Sequence, residues 1–184
     1  MERLLAAGGL TQFYGKMFLI YSGANTCIIG YDGNQEAKVM STLRAARTIW
    51  NGCNGRVSNL SMQKLLYLSH MLELGAGRDG LVSQNFEAWD YGPVEPGLYH
   101  YLKAYGSNYI PDVFSSSAYD ENDPEYESIS EVIRQLGDVP ASKLVAITHW
   151  EEGAWSKHYI PGMRRVTIPD EDILEEYNLR AKGA

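Results

Sequence analysis

From residue 40 onward, apolar residues recur at helical spacing between regular glycine and proline breaks. Leu43, Ala46, Ile49, Trp50 and Cys53 form one stripe, with Ser41 or Thr42 placed to cap it and Gly52 and Gly55 to close it, which predicts a first helix. A second helix, Leu60 to Leu74, follows capping candidates at Ser58, Asn59 and Ser61. Met62, Leu65, Leu66, Ser69 and Leu72 make one of its faces, and Tyr67, Met71 and Leu74 make another. A helix with apolar surface on two sides belongs in the centre of a fold. Gly75 and Gly77 end it, Asp79-Gly80 marks a turn, and the alternation in Phe86-Glu87-Ala88-Trp89-Asp90-Tyr91 predicts a short strand within a small hairpin.

Gly92-Pro93-Val94-Glu95-Pro96 then opens a helix with Leu98, Tyr101, Leu102 and Tyr105 on one face, stopped at Gly106. Asp123-Pro124 starts another, carrying Ile129, Val132, Ile133 and Leu136 to Gly137, and Pro140 starts a third with Ala141, Leu144, Val145 and Thr148. Trp150 to His158 reads as one or two short turns and Met163 to Ile168 as a strand. Pro169-Asp170-Glu171-Asp172 begins a last helix through Ile173 and Tyr177. The expected fold is mainly α (α+β), a compact bundle of about six helices with a small antiparallel β element.

Residues 1–39 behave differently. They show no sustained period, are interrupted by glycines, and hold three acids and three bases, so the net charge of −7 lies entirely in 40–184. The expected organisation is an N-terminal extension over 1–39, either a mis-annotated start or a poorly ordered segment, ahead of a functional domain over 40–184.

A chain of 184 residues with 45% apolar and 21% charged residues has the composition of one ordinary globular domain, which excludes a low-complexity protein. Its acid excess argues against a nucleic-acid coat, which needs clustered Lys and Arg. Two cysteines, Cys27 and Cys53, make neither a disulfide framework nor a four-ligand zinc site and suit a reducing cytoplasm. The runs Met17 to Tyr21 and Leu65 to Leu68 fall far short of the roughly 20 residues that cross a bilayer, and the former is too short for an export signal. A cytoplasmic protein with no membrane partner is expected.

Charge is segregated along the domain. Between 40 and 72 the charged residues are Arg44, Arg47, Arg56 and Lys64, whereas 120–131 holds Asp120, Glu121, Asp123, Glu125, Glu127 and Glu131 with no base. The simpler reading is that the acids solvate a loop and a helix N-terminus. The sharper one is steering of a basic partner, with Glu125 and Glu127 as contacts.

Three ordered segments carry a family likeness: Asn59-Leu60-Ser61-Met62-Gln63-Lys64-Leu65-Leu66-Tyr67, then Phe86 to Val94 followed by Leu98-Tyr99-His100, then Leu144 to Trp155 around Thr148-His149. Together they resemble the Panacea antitoxin family, also called SocA-like or GepA-like and found in prophages, other mobile elements and chromosomes. The likeness covers nearly all of 40–184 and leaves the extension unexplained. It implies a mainly helical domain acting as the antitoxin of a bacterial toxin–antitoxin pair, binding directly a cognate protein toxin encoded beside it. Delivery of the toxin to an ATP-dependent protease is the alternative.

The motif residues also have readings of their own. Gln63 and Lys64 occupy the narrow polar strip of an otherwise buried helix, so structural pairing of Lys64 is favoured over partner contact. Trp89 and Tyr91 share one side of the expected strand, where they are core or partner anchors. Gly92 and Pro93 set the exit from strand to helix. Tyr67 and His149 complete the motif set, His149 being expected as a hydrogen-bonded core histidine beside Trp150 and near Trp155.

Catalysis is the competing class. His149, Glu151, Glu152 and His158 lie within ten residues but match no zincin spacing. Cys53 reads as a small buried hydrophobe, and Gly75-Ala76-Gly77 lacks the lysine of a phosphate loop. A His-dependent hydrolase, and an autorepressor that binds DNA through the basic first two helices, remain as alternatives; a recognition recognition helix for the latter is lacking. No catalytic residue, cofactor or metal is expected.

Overall fold

The computed structural model describes residues 40–183 apart from 83 and 164, and of residues 1–39 the backbone of the regular elements alone. The chain divides into two compact units, Met1–Val39 and Met40–Ala184. In the first, β1 (Leu5–Ala6), β2 (Gly9–Tyr14), β3 (Met17–Ser22) and β4 (Thr26–Tyr31) pair in sequence order as an antiparallel meander. The apolar run in β3 does not alternate, so its strand character left no period-two signal.

The second unit is mainly helical, and among the described residues the whole chain has seven α-helices. Helix α1 (Gly33–Gly52) begins well ahead of the expected cap; Ser41 instead donates its hydroxyl to the Leu81 carbonyl at 3.4 Å. Helix α2 (Asn59–Gly75) is capped by Ser58, whose hydroxyl accepts from the Ser61 amide. Met62, Leu65, Leu66 and Tyr67 are fully buried, and so is Lys64.

Strands β5 (Phe86–Trp89) and β6 (Gly92–Val94) form the hairpin, and β7 (Thr167–Ile168) adds to the other edge of β5 in the order β6-β5-β7, all antiparallel. The expected strand from Met163 shrinks to β7 because Arg165 sits at φ +61°, outside strand geometry. Helix α3 (Pro96–Leu102) follows the hairpin directly, then come α4 (Pro124–Leu136), α5 (Ala141–Thr148), α6 (Ala154–His158) and α7 (Asp170–Lys182). Helix α2 is the hub: α3, α4, α5, α7 and β6 all pack on it. Gly52 lets α4 close on α1, since a Cβ there would stand 2.6 Å from Ile133.

No helix of the described residues is long and apolar enough to cross a membrane.

Candidate functional site

The hairpin meets α2 through apolar and polar groups together: Phe86 is buried edge-on against Tyr67 at 5.2 Å between ring centroids, and the second strand is held by hydrogen bonds. Lys64 donates from Nζ to the Pro93 carbonyl at 2.7 Å, and the Gln63 Oε1 accepts the Glu95 amide at 2.8 Å. Burial alone lowers the Lys64 ammonium to about 7, and among the described residues it has no carboxylate partner. Glu95 in turn caps α3 by accepting the Leu98 amide. Burial raises its carboxyl above the ordinary range, against the pull of the Leu98 and Gly97 amides.

Gly92 makes the close approach possible. It stands at φ +97°, and a Cβ there would lie 2.8 Å from Lys64 Nζ and 2.9 Å from Thr148 Oγ1. Strain and overlap act together, so Gly92→Ala is expected to cost about 2–3 kcal/mol in urea unfolding. A cost below about 0.5 kcal/mol would contradict this packing.

A stack of rings also supports the hairpin. His149 lies 3.7 Å from Trp155 at 7°, and Trp155 lies 4.6 Å from Tyr159 at 19°. Trp155 donates its indole N–H to the Trp89 carbonyl at 2.9 Å, and Tyr159 donates its hydroxyl to Asp90 Oδ1 at 3.0 Å. That bond to Asp90 raises the Tyr159 phenol. The His149 ring is stacked rather than hydrogen-bonded: its Nε2 is buried with no bonding partner among the described residues, which corrects the expectation of a hydrogen-bonded histidine. Burial, and then the charge of Lys64, lower its titration.

On this base, Trp89 is half-buried. It donates to Glu87 Oε2 at 2.8 Å and meets Tyr99 edge to face at 4.8 Å between centroids. Trp89 pairs with Gly92, so Asp90 and Tyr91 form the two-residue turn; Tyr91 is therefore not on the strand, and it is 69% exposed.

The acidic stretch is partly consumed within the chain. Arg44 pairs with Asp123 at 2.8 Å, Arg47 with Asp112, Arg56 with Asp138 at 3.4 Å and Arg134 with Glu131 at 2.6 Å. Of these pairs, Arg44–Asp123 joins the basic segment to the acidic one, while Arg47 and Arg56 find aspartates outside 120–131. Glu127 is exposed and Glu125 half-exposed, beside a shallow cleft of about 420 Å³ lined by Glu121, Asp123, Tyr126 and Glu127. Both acids add to the raised pKa of Arg78, whose main cause is its hydrogen bond to Glu73. Arg78 also donates to Ser128 at 3.0 Å, so Glu125 and Glu127 belong to the Glu73 end of α2 and the hairpin to the Lys64 end, about 13 Å apart along the helix.

The residues weighed for catalysis do not converge. His158 bonds Asp172 at 2.7 Å, Glu151 and Glu152 are exposed, and among the described residues no three metal-binding side chains come together. The Cys53 thiol is pushed up to about 11, chiefly by burial and then by Asp138, so it is a poor nucleophile.

Sequence reasoning missed Glu176. It is fully buried and accepts hydrogen bonds from Tyr67 at 2.7 Å, the Ala154 amide at 2.8 Å and Arg180 at 2.7 Å. The one signal was an acid three residues after Ile173, on the stripe that faces the core.

The family model for SocA-like antitoxins with a Panacea domain matches residues 62–156, a span that holds Gln63, Lys64, the whole hairpin and His149. The curated Antitoxin SocA of Caulobacter vibrioides (strain NA1000 / CB15N) is 37% identical over 109 residues. That alignment covers 54% of this chain and 58% of the relative, so the chain spans a little over half of the relative's length. None of the solved structures gives a significant match.

Proposed function

The chain belongs to the SocA-like antitoxins with a Panacea domain, and from this we propose that it neutralises a toxin encoded beside its gene by direct protein–protein binding in the cytoplasm. Residues 40–184 carry the activity, which is recognition rather than chemistry. The observation behind this reading is the hairpin surface: Trp89 half-buried and Tyr91 exposed, on a base fixed by Lys64, Gln63 and Trp155. Aromatic anchors on a rigid support lose little entropy on binding and dominate the energy of such interfaces.

The test is expression of the neighbouring gene with and without this protein, combined with affinity measurement on the purified pair. Toxicity relieved by the wild-type chain is the expected outcome, and Trp89→Ala is expected to weaken binding by about 2 kcal/mol or more, roughly thirtyfold, while the protein stays folded. A harmless neighbour, or undiminished binding by a folded Trp89→Ala protein, would remove this reading of the site. The half-life of the toxin in cells lacking ATP-dependent proteases separates direct neutralisation from delivery for degradation. An autorepressor draws less support, because Arg44, Arg47 and Arg56 all pair with aspartates and Lys64 is buried.

A further inference from the structure

The tip of the hairpin combines two features that sequence alone kept apart. The first is the ladder His149–Trp155–Tyr159, three near-parallel rings that start at the buried end of α5 and reach the surface at half-exposed Tyr159. The second is Asp90, exposed in the turn, with Oδ1 held by the Tyr159 hydroxyl at 3.0 Å. Among the described residues its other oxygen accepts no hydrogen bond. Glu87, two residues back along β5, is similarly fixed through one oxygen by the Trp89 indole. Among the described residues neither carboxylate has a cationic partner, whereas seven of the arginines and lysines, from Arg44 to Arg180, are tied to acids.

We propose that Asp90 and Tyr159 form a seat for an arginine of the protein partner, its guanidinium lying on the Tyr159 ring as a fourth layer of the ladder and hydrogen-bonding to the Asp90 carboxylate. This rests on the antitoxin reading above and names the chemistry that the partner presents to it. A carboxylate already oriented beside an aromatic face matches a planar cation, which stacks on the ring and offers two parallel N–H groups, better than it matches the compact ammonium of lysine. Glu87 adds negative potential, and exposed Tyr91 gives the aliphatic stem of the arginine an apolar wall. The seat lies on a protruding turn rather than in a cavity, so the guanidinium arrives on another macromolecule's surface.

The test uses the full chain and the protein encoded beside its gene, with association measured across a salt series. Asp90→Asn keeps the oxygen that Tyr159 donates to and removes only the charge. It is expected to weaken binding about tenfold and to flatten the salt dependence, with Glu87→Gln giving a smaller change in the same direction. Arginine amide added as competitor is expected to displace the partner at lower concentration than lysine amide. If Trp89→Ala weakens binding while Asp90→Asn leaves both affinity and salt slope unchanged, the arginine seat is overturned and the hairpin surface stands. Equal displacement by the two amides would also overturn it. If neither substitution weakens binding, the seat and the surface reading fall together.

Discussion

Replacing Glu176 by Ala is expected to lower stability by roughly 3–5 kcal/mol, enough to leave much of a marginally stable domain unfolded. The side chain is fully buried. One of its oxygens accepts from the Tyr67 hydroxyl and the Ala154 amide, and the other accepts from Arg180 Nε at 2.9 Å and Nη2 at 2.7 Å. Tyr67 comes from α2, Ala154 opens α6 and Arg180 lies one turn on in α7, so one carboxylate joins three helices. Burial and the adjacent carboxylate keep the Tyr67 phenol far above its ordinary range, so it remains a donor. Alanine would leave that hydroxyl and the Ala154 amide without an acceptor, and unpaired buried groups carry their full desolvation cost. Arg180 keeps its bond to the Ile147 carbonyl at 2.8 Å and its place over the Trp150 ring, which limits the loss on that side. Glu176→Gln, which retains one acceptor oxygen, is expected to fall between wild type and Ala. Urea unfolding followed by tryptophan fluorescence measures the series; a Glu176→Ala cost under about 1 kcal/mol would show that the three helices are held by packing alone. Because α6 carries Trp155 and leads into Tyr159, loosening its first turn also loosens the support of the hairpin.

The second large effect lies in the pH dependence of stability. Lys64 has an ordinary pKa of 10.5 that burial brings down to about 7 in the folded chain. Between those values the folded chain holds the neutral amine while the unfolded chain is protonated. The unfolded state therefore binds the extra proton, and stability rises with pH across that window. Below about 7 both states carry the charge and the cost of burying it is constant; above 10.5 neither does and the cost is gone. Lys64→Met removes this group while filling similar volume and leaves the other titrations largely common to both proteins. The stability of wild type relative to Lys64→Met is expected to rise by on the order of 3–4 kcal/mol from about pH 7 to about pH 10. Parallel profiles for the two proteins would mean that Lys64 is hydrated or paired in solution. A buried lysine held only by a carbonyl is costly in stability at neutral pH, and its return is the fixed position of Pro93 in the second strand of the hairpin.

Much of this arrangement was legible in the chain. The two-sided apolar pattern of 60–74 located the central helix, because a helix surrounded by others must be apolar on more than one side. Alternation over 86–89 located β5, but Gly92 and Pro93, expected to lead the strand into the next helix, belong to β6 instead, because the chain turns at Asp90 and Tyr91. Structural pairing of Lys64 was favoured over partner contact, and its ammonium meets the Pro93 carbonyl. Trp150 to His158 was read as one or two short turns and not as a helix, because the five residues of α6 are too few to display a 3.6-residue period. The basic and acidic segments were seen, but not that Arg44 and Asp123 close on each other. The ladder His149–Trp155–Tyr159 was visible only as scattered aromatic residues.

Periodicity, turn chemistry and the order of three motifs are properties of neighbouring residues, and they were sufficient for the helical class, the position of the hairpin and the family. Many polar partners are not local. Lys64 meets a carbonyl 29 positions away, Tyr67 a carboxylate 109 away and Asp90 a hydroxyl 69 away, and such pairs exist only once the chain has closed on itself. Desolvation then sets which of them hold a proton, so the chemistry of the surface follows from packing that no short stretch of the chain encodes.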